Sequence, residues 1–338
     1  MVGLIYHHVL LTGDAAFLND RVNGRSILDW AIYQAEYGDD PGTPAGLMNY
    51  HYNLDNYIEL RRDEYHYRHV MPCLNSRRCE SYRMVDTLCR IAGRKPPADF
   101  LARAGEIKTA LGKELWDARE KWFGWIDAQG EEKQMRYTAQ ILKMLDTGAL
   151  DREQADGLVS HLNEEEFLSE YGLHSISKKD PAYDQDDVDC GGGGICTSIL
   201  PIIVERLYRS GHADAAADIL KRTLWWGERL PYYADSQVSN FMDYRHDSPI
   251  QNLIGALSGA QCIIYGMFGV KVTVNDITIN PVPPAWSPDI RLKGLHIRGL
   301  NMDINVRGKS FEVLSNGTRI TSKTGTPVIL EPPGRLQK

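Results

Sequence analysis

The apolar positions along the chain fall into two regimes. Up to about residue 268 they recur at intervals of three and four, the mark of helices with one buried face. This pattern covers residues 4–11, 27–37, 77–91, 100–116, 137–145, 155–162, 198–208, 213–225 and 253–268. Several connections carry helix-boundary chemistry: Thr12-Gly13-Asp14, residues 93–97, Thr147-Gly148, and Ser210-Gly211 ahead of His212. Short loops between consecutive helices make antiparallel hairpins. "LLTGDAAFL" (10–18) and "LYRSGHADAAADIL" (207–220) share one logic, in which a helix stops at a glycine and a helix of small residues restarts. No repeat is strict enough for a solenoid period, so helical hairpins laid side by side are the expectation.

After Gly269 the period drops to two. Val270, Val272 and Val274 alternate with polar residues, Ile277 and Ile279 flank Thr278, and Ile304 and Val306 continue the alternation. Asn316-Gly317 is a hairpin turn signal between residues 311–314 and Ile320. The pattern predicts a mainly α protein: a helical body over 1–268, then a small antiparallel, β-sandwich-like module over 269–338. Pro281, Pro283 and Pro284 stiffen a connection inside the module. With no long flexible linker before it, the module is expected to pack on helices.

Composition narrows the class. A chain of 338 residues with 43% hydrophobic and 25% charged positions buries a core, as one large or two modest domains, and is neither disordered nor fibrous. A net charge of −7, from 38 Lys+Arg against 45 Asp+Glu, gives a phosphate backbone no broad electropositive surface, which argues against nucleic acid as a partner. The longest apolar runs, 199–204 and 262–270, are far short of the roughly 20 residues of a membrane span. Residues 1–11 lack a basic leader and are interrupted by His7 and His8, so a cytoplasmic location is expected. Cys73/Cys79 and Cys190/Cys196 are each six apart, without CxxC spacing, and read as reduced core thiols.

Candidate chemistry lies in three irregular segments. In "NYHYNLDNYIELRRDEYHYRHVMP" (49–72), Tyr52, Asp55 and Asn56 belong to a mixture of rings and planar polar groups. Sugars need such a mixture, because their C–H faces stack on aromatics while their hydroxyls need hydrogen-bonding partners. The competing reading is an amphipathic turn with Asp55 as a helix cap. In "YGLHSISKKDPAYDQDDVDCGGGGICT" (171–197), Asp180, Asp184, Asp186, Asp187 and Asp189 precede four glycines, which would let a backbone approach a ligand closely. A phosphate loop is excluded by the missing Gly-Lys-Ser/Thr. Hard cations take carboxylate oxygens, so calcium is one reading of this loop, although its spacing is not that of an EF-hand; a solvated acidic loop is the other. In "WWGERLPYYADSQVSNFMDYRHDSPIQ" (225–251), Trp226, Tyr233, Tyr244, Arg245 and Gln251 accompany the acids Glu228, Asp235, Asp243 and Asp247. Two acids distant in sequence can face each other across a cavity, one protonating a leaving oxygen and the other activating water.

Taken in this order, the three segments resemble the (α/α)6-toroid, six-hairpin glycoside hydrolases that include mannosylglycerate hydrolase and the family 63 α-glucosidases. In that group "GMDNSPR" carries the general acid, a "DLN" helix follows, "YGLPSLS" precedes "YWRGPVW", and "EYYDPxTG" holds the base. Here "NLDNYIEL" puts Asp55 and Asn56 on the first motif, "CLNSRRCESY" puts Leu74 and Asn75 on the second, and "YGLHSIS" (171–177) matches the third. "MDYRHDSPIQNLIG" puts Asp243 where the late base falls. "DCGGGG" stands in place of Trp-Arg-Gly-Pro, and the base position is Asp rather than Glu. Against six hairpins the chain offers nine helical patterns, so an early hairpin is missing, supplied by another chain, or hidden in segments read as irregular.

The resemblance implies a carbohydrate hydrolase acting on an oligosaccharide or glycoside by inversion. Asp55 would be general acid and Asp243 general base, and Tyr52, Asn56, His174, Trp226, Tyr233, Tyr244, Arg245 and Gln251 would contact substrate. Neither a metal nor a cofactor enters this reading. A sugar epimerase or polysaccharide lyase on the same barrel, using His51, His66, His69 or His246, is one alternative, and a non-catalytic glycan-binding barrel is another.

Overall fold

Helical hairpins and antiparallel sheets are both present in the computed structural model. It describes the chain except residues 38–42, 52–65, 97–98, 128–131, 189–190, 230–233, 247–252, 334–335 and 337–338. The fold is mainly helical, with small antiparallel sheets. It divides into two compact units, each assembled from segments distant in sequence: Met1–Tyr37 with Glu80–Ala104 and Ile263–Lys338, and Gly38–Cys79 with Gly105–Cys262.

The first unit starts with a helical hairpin. Helix α1 (Val2–Thr12) stops at Gly13, which takes the left-handed conformation (φ 79°) and returns its N–H to the Val9 carbonyl. Helix α2 (Ile27–Glu36) starts at Ser26, whose hydroxyl accepts from the Asp29 N–H at 3.1 Å. The terminal sequence pattern appears as a four-stranded meander, Asp289–Ile297, Leu300–Arg307, Ser310–Ser315 and Thr318–Lys323, beside a three-stranded sheet of Val270–Val272, Ile277–Ile279 and Val328–Leu330. Along Leu300–Arg307, Leu300, Met302, Ile304 and Val306 are buried on alternate positions. The Asn316-Gly317 turn joins Ser315 to its partner Thr318 with φ of 46° and 86°, the two positive angles of a type I′ hairpin. The module meets helix α1 at Arg298, whose N–H donates to the Leu11 carbonyl at 3.0 Å. Its guanidinium is held by the carbonyls of Thr273 and Val274.

In the second unit, helix α6 (Ile199–Arg209) buries Ile199, Leu200, Ile203, Val204 and Leu207. It turns through Ser210-Gly211 into α7 (Ala213–Arg222). Helix α9 (Leu253–Gln261) returns beside α6, where the Gln261 amide donates to Glu205 at 3.0 Å. Helix α5 (Arg152–Ser160) opens on a capping box of Asp151 and Gln154.

Two expectations from the pattern change in detail. Residues 137–145 form a 3-10 helix, Ala139–Met144, because Tyr137 and Thr138 are held in extended pairing with the segment around Ile176. Helix α4 (Phe100–Ala110) ends in a wider π turn, Leu111–Leu115, ahead of a short hairpin in which Trp116–Asp117 pairs with Trp122–Phe123. Trp122 stacks on Phe167 and meets His161 edge-on, an aromatic core that the helical period did not reveal. Among the described residues, five cysteines are buried thiols, and no helix is long and apolar enough to cross a membrane.

Candidate active site

The motif at 171–177 runs through the middle of a backbone lattice in the second unit. Gly172–Leu173 pairs with Leu168–Ser169, the Ser175 N–H donates to the Gly194 carbonyl at 2.8 Å, and the Ala139 N–H donates to the Ser175 carbonyl at 2.8 Å. Gly194–Cys196 pairs in turn with Ser236–Val238, whose Gln237 bridges to Tyr244 after the chain turns at 239–243. Two of the three candidate segments are therefore tied together by main-chain hydrogen bonds: 171–197, with the His174 motif and the glycine run, and 225–251, with the hairpin carrying Asp243.

The glycine run packs against the protein's own backbone and side chains. A Cβ on Gly193 would lie 2.0 Å from the Gln185 carbonyl oxygen, one on Gly194 2.0 Å from the Gln237 oxygen, and one on Gly192 2.4 Å from Ile176. The close approach that glycine permits is to this protein's own backbone. This corrects the sequence expectation, because nothing in the residue types distinguishes a ligand from a neighbouring strand. The aspartates ahead of the run are partly structural as well. Asp180 is buried against Arg136 at 2.8 Å and also accepts from the N–H groups of Tyr137 and Ala182. Asp184 accepts from the Asp186 N–H at 3.1 Å. Among the described residues, no group of three or more acids, histidines or cysteines is arranged to hold a metal ion.

Asp243 sits where the hairpin returns. Its Oδ1 accepts from the Tyr244 N–H at 2.8 Å and lies 2.8 Å from His246 Nε2, while the carboxylate stays 38% exposed. The His246 ring lies on Tyr244 with centroids 4.3 Å apart and planes 34° from parallel. Arg245 is anchored by its N–H on the Ser236 carbonyl at 3.0 Å. Trp225 is buried and donates from Nε1 to the Tyr171 carbonyl at 3.1 Å, and half-buried Trp226 meets it edge-on. Tyr52, Asp55, Asn56, Tyr233 and Gln251 lie outside the described residues, so the Asp55 to Asp243 relation is not on view.

His174 is buried beside a cavity of about 710 Å³ that Ser169, Gln185, Lys221 and Asn240 also line. Its Nδ1 lies 2.8 Å from the Ser239 hydroxyl, and its Nε2 has no hydrogen-bond partner among the described residues. Burial, reinforced by the charge of Lys178 and opposed by the Gly192 carbonyl, pushes the imidazole down to about 4, so the ring is neutral near pH 7. Ser239, Gln185, Lys221 and Asn240 escaped the sequence reading; they join His174 only through the fold, and the sequence carries no motif for them.

A family model for the mannosylglycerate hydrolase MGH1-like glycoside hydrolase domain matches residues 35–228, more than half of the chain. No curated protein matches. Among solved structures, a sialidase 14% identical in sequence superposes with a TM-score of 0.81, covering 98% of this chain and 32% of its own. A GH78 family rhamnosidase of Bacillus sp. GL1, 16% identical, gives a TM-score of 0.60 over 93% of this chain and 30% of its own. At these identities the likeness is one of fold, and the chain spans about a third of the length of either protein.

Proposed function

The chain belongs to the mannosylglycerate hydrolase MGH1-like glycoside hydrolase domain family, and from that premise we propose that it hydrolyses a glycosidic bond in an oligosaccharide or glycoside by an inverting mechanism. In this reading residues 1–268 form an (α/α)6 toroid that carries the chemistry, and residues 269–338 are its β module. Asp55 is the general acid, protonating the leaving oxygen, and Asp243 is the general base, taking a proton from the water that attacks the anomeric carbon. Tyr52, Asn56, His174, Trp226, Tyr233, Tyr244, Arg245 and Gln251 contact the sugar.

The observation that carries this reading is the environment of Asp243. Both donors to its carboxylate, the Tyr244 N–H and His246 Nε2, converge on Oδ1. Oδ2 keeps its lone pairs, among the described residues, on a half-exposed group. A carboxylate fixed through one oxygen and open at the other has the form a base needs to hold a water.

The test is a screen of aryl-glycosides and natural oligosaccharides, followed by Asp55→Asn and Asp243→Asn on the best substrate. Each variant should lower kcat by about 10² to 10⁴-fold with an unchanged melting temperature, and a near-normal rate in either removes that residue's role. A second reading, glycan binding without turnover, draws on the glycine run, where protein backbone fills the space and no sugar-contacting Trp or Arg is present. Release of reducing sugar with no new double bond separates hydrolysis from that reading and from epimerase or lyase chemistry.

A further inference from the structure

The second unit holds another cavity, of about 460 Å³, between the tryptophan hairpin and helix α5. Trp116, Lys121, Arg152, Glu153, Asp156 and Gly157 line it, none of them shared with the cavity beside His174. Gly157 lies where hairpin and helix come closest: a Cβ there would be 2.7 Å from Trp116 Cη2 and 3.2 Å from Lys121 Cβ. Glycine is an unfavourable choice inside a helix, and here it keeps the indole against α5. Lys121 takes a φ of 50°, the left-handed region that glycine and asparagine fill more easily. Two residues set against local propensity therefore frame one cavity, and departures of that kind gather at functional sites.

The polar side chains around the cavity divide into engaged and free. Arg152 Nε donates to Asp156 at 3.0 Å, Arg152 Nη1 donates to the Ser210 carbonyl at 3.3 Å, and Asp156 Oδ1 meets His212 Nε2 at 2.8 Å. The Lys121 ammonium and the Glu153 carboxylate are exposed and make no hydrogen bond or ion pair among the described residues. The Trp116 ring is tilted against Phe123 with centroids 4.9 Å apart and stays half-buried. The lining thus offers an aromatic surface, one free donor group and one free acceptor group, with two cations against two acids. A lone anion gains from Lys121 what it loses to Glu153, and a lone cation the reverse. A hydroxyl both donates and accepts, so a ring rich in hydroxyls uses Lys121 and Glu153 together while its C–H face lies on the indole.

We propose that this cavity is an accessory carbohydrate site, in which a neutral sugar ring stacks on Trp116 and its hydroxyls bond Lys121 and Glu153. The choice of sugar among neutral hydroxyl-rich ligands rests on the glycosidase reading, whereas the free side chains do not. No catalytic role for Asp55 or Asp243 enters it.

The test uses the full chain labelled with ¹⁵N-tryptophan and follows its indole N–H signals near pH 7, Trp116 being the signal missing from Trp116→Phe. That signal should shift when D-glucose, D-mannose or L-rhamnose is added at millimolar concentration, more than with D-glucuronate or L-alanine. Lys121→Ala and Glu153→Gln should each weaken the responsive hexose about tenfold, and Asp243→Asn should leave its binding unchanged. Both Lys121 and Glu153 are exposed, so their variants keep the test open on whichever indole responds if Trp116→Phe does not fold. No response to any of the three hexoses, a response untouched in both variants, a response lost in Asp243→Asn, or a stronger response to D-glucuronate or L-alanine overturns the proposal. Turnover of a glycoside without a hexose response overturns the accessory site alone, and a hexose response without turnover of any glycoside overturns the hydrolase reading alone.

Discussion

His174 carries a consequence that reaches beyond binding. An imidazole that titrates near 6.5 in the unfolded chain and at about 4 in the folded one takes up its proton first when unfolded. Its contribution to stability is therefore fully present above about pH 6.5 and is lost as the pH falls toward 4. The size is on the order of 3 kcal/mol for a shift of this extent. Urea unfolding of the wild type and of His174→Gln should show their stability difference moving by about that amount between pH 7 and pH 4, against the wild type at low pH. A difference that stays constant would show that His174 is not buried neutral. Sequence reasoning reached His174 through its motif. Its ring partner, the Ser239 hydroxyl at 2.8 Å, lies sixty-five positions away, so its buried setting could be read only after folding.

Elements were most legible where one periodic signal ruled. Helices α6 and α7 and the Asn316-Gly317 hairpin form where the spacing puts them, because amphipathic periodicity and turn chemistry agree there. The 3-10 segment Ala139–Met144 and the tryptophan hairpin at 116–123 were hidden, since strand pairing over two residues leaves no period to count. The glycine run was visible as a sequence feature but open in meaning, and its packing assigns it to structure. Gly193→Ala should lower stability by about 3 kcal/mol, because the new methyl would sit 2.0 Å from a carbonyl oxygen that cannot swing away. Gly3→Ala, in α1 with nothing within 4 Å, should raise stability by about 0.5–1 kcal/mol. Melting curves for the pair check this, and a tolerant Gly193 would return the run to candidate ligand contact.

For the whole molecule, the change from mainly helical elements to antiparallel strands near Gly269 was readable from period alone, and the family from the order of three irregular segments. Neither signal disclosed that the first unit joins residues from both ends of the chain with a middle segment, since that assembly rests on contacts such as Arg298 to Leu11. The proposed function requires at this scale two carboxyl groups, Asp243 on the described hairpin and Asp55, to act on opposite sides of a sugar ring. The first product released from an α- or β-linked substrate reports this directly in its anomeric proton signal, read by NMR before mutarotation. An inverting pair predicts the anomer opposite to that of the substrate. Retention of configuration, or no hydrolysis of any glycoside in a broad panel, would contradict the account.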